Sequence, residues 1–163
     1  MKTYNILFLC THNSARSVLG EALATTLSNG KFVGYSAGSH PSTAINPIAK
    51  QLAIELGYDA SKLRSKSWDE YAKPDAPVMD FVITVCDSAA GETCPVWLGH
   101  PSTAHWGFND PSQVEGAELE KKKAFVDVMI GLKKRIELLM SLPIEQLDTM
   151  SLNNKLKEIH QTV

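Results

Sequence analysis

Residues 10–17 read Cys-Thr-His-Asn-Ser-Ala-Arg-Ser and combine a thiol with a guanidinium six residues later. An apolar run precedes them and a helical pattern follows, so Cys10 lies between a predicted strand and the amino end of a helix. At such a point the helix dipole and inward-pointing loop amides attract an anion and lower the pKa of a thiol. Arg16 can present its planar fork to two oxygens of a tetrahedral oxyanion, and Ser17 can donate to the sulfur. The segment predicts an oxyanion site with a thiolate; the alternative is a buried strand-end cysteine beside an N-capping serine.

The other two cysteines, Cys86 and Cys94, suggest redox chemistry. Cys86 ends the third predicted strand, as Cys10 ends the first. In a doubly wound sheet whose direction reverses after the second strand, strands one and three are neighbours about 4.8 Å apart, which suits a disulfide. A stretch of small residues separates Cys86 from Cys94, so a relay from Cys10 through Cys86 to Cys94 could deliver an oxidised pair to an external reductant. The alternatives are a core residue for Cys86 and an unreactive loop thiol for Cys94.

Asp110 follows the fourth and weakest predicted strand, and therefore falls at the same carboxyl edge. A carboxylic acid there could protonate the leaving oxygen of a bound oxyanion; the alternative is an Asp-Pro turn. A zinc site is disfavoured, because the sequence has no Cys-x2-Cys pair. Its ligands would be Cys86, Cys94, His100 and His105.

The candidate site residues must be positioned by the predicted secondary structure, in which apolar strands alternate with amphipathic helices. Strands are predicted at residues 5–10, 32–36, 81–85 and, more weakly, 104–106. Helices are predicted at residues 18–27, 46–56, 118–140 and 151–160, with one further turn at residues 67–71. This alternation predicts an α/β fold with a parallel sheet covered on both faces. We expect a single domain, with a core at about residues 5–141 and a C-terminal helical extension at residues 143–163.

Composition excludes several classes of function. The 163 residues suit one domain, and 44% apolar with 21% charged residues is typical of globular proteins. Sixteen Lys+Arg against eighteen Asp+Glu leave a net charge of −2, which provides no field to hold nucleic acid or an anionic membrane. The longest apolar run, residues 6–10, is far shorter than a membrane span of about 20 residues and is not a signal peptide. We expect a soluble cytoplasmic protein without nucleic acid or membrane partners, whose three cysteines are reactive thiols.

In combination the motifs resemble the low-molecular-weight protein tyrosine phosphatase superfamily, whose loop reads Cys-x5-Arg-Ser, and within it the arsenate reductases. The resemblance runs from residue 6 to near residue 140 and rests on residues 10–17, 36–38, 84–86, 94–95 and 105–111. It implies a single-domain three-layer sandwich around a four-stranded parallel sheet. It also implies Cys10 as the nucleophile and Asp110, not Asn109, as the general acid. The implied oxyanion-binding loop comprises Thr11, His12, Asn13, Ser14, Ala15 and Arg16.

The resemblance extends to a cation site only in part. Asn13, Glu21 and Ser36 match positions that hold a potassium ion in some related reductases. Lys66, however, stands where those proteins carry an acidic residue. We therefore expect no metal, and the chemistry implies no organic cofactor.

The leading hypothesis is an arsenate reductase. A Cys10–arsenate adduct is attacked by Cys86, which releases arsenite; Cys94 then forms a disulfide with Cys86, and thioredoxin or glutathione/glutaredoxin reopens it. Phosphate and sulfate should compete with arsenate, and we expect a monomer.

A second hypothesis is a phosphatase acting on phosphotyrosine through a phosphocysteine. It needs only Cys10, Arg16, Ser17 and Asp110, but such phosphatases usually carry an aromatic residue directly after Asp-Pro, where this chain has Ser112. A third is a non-catalytic oxyanion-binding or redox-sensing module, which the intact nucleophile, arginine and acid disfavour.

Overall fold

The structure, a computed structural model, describes residues 2–86, residue 97 and residues 99–162. Each strand and helix predicted from the sequence is present in it, with bounds that differ by no more than two residues. The strands and helices are β1 (Tyr4–Cys10), α1 (Arg16–Leu27), β2 (Phe32–Gly38), α2 (Pro47–Glu55), β3 (Phe81–Thr84), β4 (Ser102–His105), α3 (Glu118–Met140) and α4 (Thr149–Thr162). Short 3-10 turns are Ala60–Lys62, Trp68–Tyr71, Pro111–Gln113 and Ile144–Gln146.

The four strands form one parallel sheet in the order β2-β1-β3-β4. After β2 the chain crosses back over β1 and adds β3 on the other side, so β1 and β3 are neighbours, as the sequence predicts. The register pairs Cys10 with Gly38 of β2 and Leu9 with Thr84 of β3. The carboxyl ends of β1 and β3 therefore border one crevice, which is where ligands bind in sheets of this kind. The α/β fold with a four-stranded parallel sheet is confirmed.

Strand β1 is apolar from Ile6 to Cys10, where both of its faces are buried. Ile6, Phe8 and Cys10 belong to the main hydrophobic cluster, to which all four helices contribute. Leu7 and Leu9 belong to a cluster on the opposite face. That second cluster also contains Ala37, Trp68, Met79 and Val82, with Tyr35, Tyr71 and Trp97 packed against it.

Helix α3 buries the apolar stripe that its periodicity predicts. Phe125, Leu132, Ile136 and Leu139 are each fully or almost fully buried. Arg135 is buried among them, and apolar periodicity gives no reason to expect a charged residue there. Among the residues that the structure describes, no helix is both long and apolar enough to span a membrane.

Candidate active site

The loop that joins β1 to α1 is held from outside by main-chain hydrogen bonds. Each donor is an amide of the segment that follows β2. The pairs are His40 to Thr11, Ser42 to His12 and Asn46 to Ser14, with N···O distances of 2.8–2.9 Å. In a trans peptide the carbonyl and the following N–H point in opposite directions. These bonds therefore turn the N–H groups of His12, Asn13 and Ala15 toward the inside of the loop, as an anion cradle requires.

Helix α1 adds its amino terminus to this cradle. Ala15 occupies the N-cap position, and its side chain makes no capping hydrogen bond. The first amides of a helix have no partner within the helix and carry partial positive charge. The start of α1 can therefore donate to an anion that enters the loop.

The Cys10 sulfur is buried and fixed by its neighbours in the loop. Cys10 Sγ lies 3.0 Å from Ser17 Oγ, and Asn13 Nδ2 donates to the same Oγ at 2.9 Å. Because Ser17 accepts from Asn13, its own hydroxyl hydrogen is available to the sulfur. Asn13 has a φ of 48°, a left-handed conformation that asparagine tolerates better than most residues.

The pKa of Cys10 differs from the sequence prediction. Burial raises the pKa of this thiol, and the neighbouring Cys86 adds to the effect. Hydrogen bonds from the Ser17 hydroxyl and from the amides of Ser17 and Asn13 lower it, but they do not compensate. The prediction of a lowered thiol pKa is therefore wrong, because desolvation of the charged sulfur outweighs the donors around it.

Arg16 connects the loop to the segment that follows β4. One guanidinium nitrogen, Nη1, donates to the carbonyl oxygen of Phe108 at 2.8 Å, and the other, Nη2, lies 3.6 Å from a carboxylate oxygen of Asp110. The Arg16 side chain is only 13% exposed. A guanidinium has five N–H donors, so these two contacts leave donors for two oxygens of an anion.

Asp110 begins the 3-10 turn Pro111–Gln113. Its Oδ1 accepts from the amide of Ser112 at 2.9 Å and from the Ser112 hydroxyl at 2.7 Å. Partial burial favours a higher pKa for this carboxyl, but the Ser112 hydrogen bonds and the charge of Arg16 outweigh burial and hold the pKa below its ordinary value. Asp110 is therefore a carboxylate at neutral pH and must gain a proton before it can act as a general acid.

Cys86 lies beside the same loop. Strand β3 ends at Thr84, two residues before Cys86, and the Val85 amide continues the ladder by donating to Leu9 O at 2.8 Å. The Cys86 sulfur accepts from the amide of Thr11, the residue after Cys10, at 3.3 Å. Both thiols are buried and neither forms a disulfide. The geometric expectation that neighbouring strands bring these two cysteines to one edge is met.

A cleft of about 370 Å³ lies over this edge. Its walls combine the β1–α1 loop, the Cys86 thiol and the segment after β4. The lining residues are Thr11, His12, Arg16, Cys86, Phe108, Asn109, Asp110 and Gln113. The structure therefore brings most of the predicted site residues together, whereas Cys94 lies outside the described residues.

Three of the four residues of the alternative zinc site, Cys86, His100 and His105, lie within the described residues, and Cys94 lies outside them. His100 precedes β4 and His105 ends it, so the two histidines flank opposite ends of the strand. Among the residues that the structure describes, no three His, Cys, Asp or Glu side chains are grouped so that they could hold a metal ion.

The residues that match a potassium site do not fit a metal ion in this chain. Glu21 accepts from the hydroxyls of Ser36 and Tyr58, and the Lys66 ammonium lies 3.9 Å from a carboxylate oxygen of Glu21. Lys66 and Glu21 are both buried. Burial lowers the pKa of Lys66, while the charge of Glu21 opposes that effect. The Lys66 amide also donates to Asn13 Oδ1 at 2.9 Å, so the cluster supports the loop directly.

Two supporting residues have roles that the motifs alone do not reveal. A Cβ at Gly38 would lie 2.5 Å from Thr11 O and 2.9 Å from Asn13 N, so only glycine lets β2 end against the loop. Phe108 supplies the carbonyl that holds Arg16. The role of Gly38 could have been inferred from the glycine after Ser36-Ala37. The role of Phe108 could not, because a main-chain acceptor leaves no signal in the sequence.

Comparison with known proteins agrees with this geometry. Residues 5–154 match the family model described as low molecular weight phosphotyrosine protein phosphatase. An arsenate reductase of Halalkalibacterium halodurans is 36% identical over 132 residues, which cover 81% of this chain and 91% of that protein. The solved structure of an arsenate reductase in the phosphate binding state has a TM-score of 0.59 and 27% identity, over 85% of this chain and 98% of that one.

A thioredoxin-dependent arsenate reductase of Corynebacterium glutamicum has a TM-score of 0.54 and 25% identity, over 84% of this chain and 63% of that one. The family match covers most of the chain and includes every site residue described above. This chain belongs to the low molecular weight phosphotyrosine protein phosphatase family.

Proposed function

We propose that this protein is an arsenate reductase with Cys10 as its nucleophile. The observation that carries the proposal is the second buried thiol, Cys86, whose sulfur lies 3.3 Å from the amide that follows Cys10. A phosphatase frees its cysteine with water and needs no second thiol, whereas a reductase needs a second sulfur to complete a two-electron transfer. The similarity to proteins named arsenate reductases supports the same choice.

The first step forms a bond between Cys10 and arsenic and expels water. With hydrogen arsenate, the thiol and HAsO₄²⁻ give a Cys10–S–AsO₃²⁻ adduct and H₂O, so charge and protons balance without an external acid. The raised pKa of Cys10 keeps its proton until the anion is bound. Asp110, ionised because of its low pKa, receives that proton and delivers it to the departing oxygen. Arg16 and the inward amides of the loop neutralise the oxyanion.

The second step transfers the electrons. The Cys86 sulfur attacks the Cys10 sulfur, the S–As bond breaks, and its electron pair leaves with arsenic, which falls from As(V) to As(III). The Cys86 proton passes to the arsenite oxygen, and a Cys10–Cys86 disulfide remains. Cys94 then attacks Cys86, which frees Cys10 and leaves a Cys86–Cys94 disulfide for thioredoxin or glutathione/glutaredoxin to reduce. A neighbour described as thioredoxin-dependent favours thioredoxin.

The same chemistry indicates the compartment, the competing anions and the oligomeric state. Reactive thiols need a reducing compartment, so we infer that the protein works in the cytoplasm. Phosphate and sulfate share the shape and charge of arsenate and should compete for the loop. The site draws all of its described groups from one chain, so a monomer is sufficient.

The decisive test compares cysteine variants on two substrates. Cys86→Ser should abolish sustained arsenate reduction with a thioredoxin system but retain most of any p-nitrophenyl phosphate hydrolysis, because water frees Cys10 in that reaction. Cys10→Ser is the matched control and should lose both activities. Cys94→Ser should release one arsenite per enzyme and stall as a Cys10–Cys86 disulfide, which non-reducing peptide mapping detects. Arsenate turnover by Cys86→Ser at the parent rate would overturn the relay and favour a phosphatase.

A further inference from the structure

Helix α4 extends from the edge of the sheet to the active-site cleft. Along its length it packs on β4: Asn153 Oδ1 accepts from the Thr103 amide, and Leu156 O accepts from Trp106 Nε1, both at 2.9 Å. At its carboxyl end, the ring of His160 lies 6.4 Å from the ring of Phe108, centroid to centroid. The helix therefore reaches a residue that lines the cleft.

Phe108 is held at both its main chain and its side chain. Its amide donates to Val85 O at 3.0 Å, and its carbonyl accepts from Arg16 at 2.8 Å. Its ring lies under the Arg135 guanidinium, which is 4.9 Å from the ring centroid. Through this one residue, the segment after β4 is held to Val85, to Arg16 and to helix α3.

Arg135 is itself fixed by α4. Its Nε donates to Nδ1 of His160 at 2.9 Å, and its Nη1 donates to Gly131 O at 2.9 Å. A guanidinium has only donors, so His160 Nδ1 is the acceptor and that nitrogen carries no proton. Arg135 is 7% exposed, and this buried charge therefore stays in one orientation over the Phe108 ring.

We propose that Arg135 and His160 are positioning residues for the anion site. They hold the Phe108 ring, and through it the carbonyl that orients Arg16 and the main chain that leads two residues on to Asp110. Both residues contact Phe108, which lines the cleft. The proposal deepens the proposed function and rests on it, because it assigns remote side chains to the same oxyanion site.

The mechanism is geometric. If His160 no longer accepts from Arg135, the guanidinium keeps its bond to Gly131 O but loses the one at Nε, so its position over the Phe108 ring is less fixed. The main chain of Phe108 is then held by its amide bond to Val85 O without the support of the ring, and the carbonyl that orients the Arg16 fork is less precisely placed. Bidentate recognition of an oxyanion depends on that orientation, so anion affinity should fall more than protein stability does.

The test measures phosphate affinity as protection of Cys10 from iodoacetamide, with the full-length chain. His160→Leu should weaken protection about tenfold, whereas His160→Asn, which keeps an acceptor at the δ position, should stay within about twofold of the parent. Arg135→Met should match His160→Leu. Lys157→Ala, an exposed change on the same helix, is the control and should have no effect. The alkylation rate without phosphate should be the same in all variants.

The outcomes separate the two proposals. If phosphate fails to protect Cys10 in the parent protein, the proposed oxyanion function is wrong. If phosphate protects the parent and His160→Leu equally, the function stands and the positioning role is wrong. Should Arg135→Met fail to fold, the His160 pair decides the question alone. A fall in unfolding midpoint in His160→Leu with unchanged phosphate affinity would mean that the contact only supports the fold.

Discussion

The two loops at the carboxyl edge of the sheet are stabilised in different ways. The loop after β1 is held by main-chain bonds from residues 40–46 and by the Lys66 amide, and its reactive groups lie within eight consecutive residues. The segment after β4 has main-chain bonds from Trp106 to Thr84 and from Phe108 to Val85, and in addition the side chains of Arg135 and His160, from α3 and α4, pack on its Phe108 ring. The loop that carries the nucleophile is therefore held from outside by main-chain partners, whereas the segment that carries the acid also relies on side chains distant in sequence.

The largest expected effect comes from the buried pair Lys66 and Glu21, which lies beside the first loop. Lys66→Met removes the cation beside Glu21 and leaves a buried carboxylate without a counter-charge. Breaking a buried pair from one side costs about 3–5 kcal/mol of unfolding free energy, which urea denaturation measures. The double variant with Glu21→Gln should recover part of the loss. A cost below about 1 kcal/mol would mean that the pair does not support the loop.

A pair of glycine variants sharpens the contrast between the loops. Gly38→Ala places a Cβ against the main chain of Thr11 and Asn13, whereas Gly131→Ala places one 2.7 Å from Cε1 of the Phe108 ring. Main chain cannot move aside as a ring can, so Gly38→Ala should cost about 1–3 kcal/mol and Gly131→Ala less. Both changes should weaken phosphate protection of Cys10. If Gly131→Ala proved the more destabilising, the second loop would be the more rigid of the two.

A hydroxyl variant in each loop provides a smaller effect. Ser17→Ala removes a donor to the Cys10 sulfur, so the pKa of Cys10 should rise further and alkylation at pH 8 should slow about fivefold. Ser112→Ala, in the other loop, is the matched control and should leave the Cys10 rate unchanged. Rates of iodoacetamide labelling against pH measure both. Equal slowing in the two variants would contradict the separation of the loops.

The smallest expected effect is the pH dependence of Asp110. Its pKa is lower in the folded protein than in the unfolded chain, so the carboxylate stabilises the fold above the ordinary carboxyl range. This stabilisation is lost as the pH falls through the folded pKa, below about pH 4. The difference in unfolding free energy between the parent and Asp110→Asn should be about 0–1 kcal/mol near pH 6 and shrink in acid. A difference in unfolding free energy that stays constant from pH 6 to pH 2.5 would contradict a lowered pKa for Asp110.

The fold, the Cys10 loop and the place of Cys86 could be predicted from the sequence, because they depend on local patterns and on strand order. Apolar runs indicate strands buried on two faces, and the order of strands follows from the reversal after β2. The Cys10 loop is contiguous, so its residue types and spacing are visible directly. Cys86 could be placed because parallel neighbours end at one edge.

The remainder depends on contacts that leave no local pattern. The pKa of Cys10 could not be predicted from loop chemistry alone, because it depends on how completely the fold buries the sulfur. Arg135 interrupts the apolar stripe of α3, and its burial depends on partners on α4 and after β4 that are distant in sequence. The Phe108 carbonyl acts as a main-chain group, so its role is independent of the side chain that the sequence records.

The packing of α4 on β4 also bears on how the protein behaves at high concentration. Strand β4 is at the end of the sheet, and the row of amides and carbonyls on such a strand is a template for pairing with another chain. Asn153 accepts a hydrogen bond from the Thr103 amide. Leu152, Leu156 and Ile159 are buried where α4 packs on the main hydrophobic cluster. The helix therefore blocks one border of the sheet against intermolecular strand addition and aggregation.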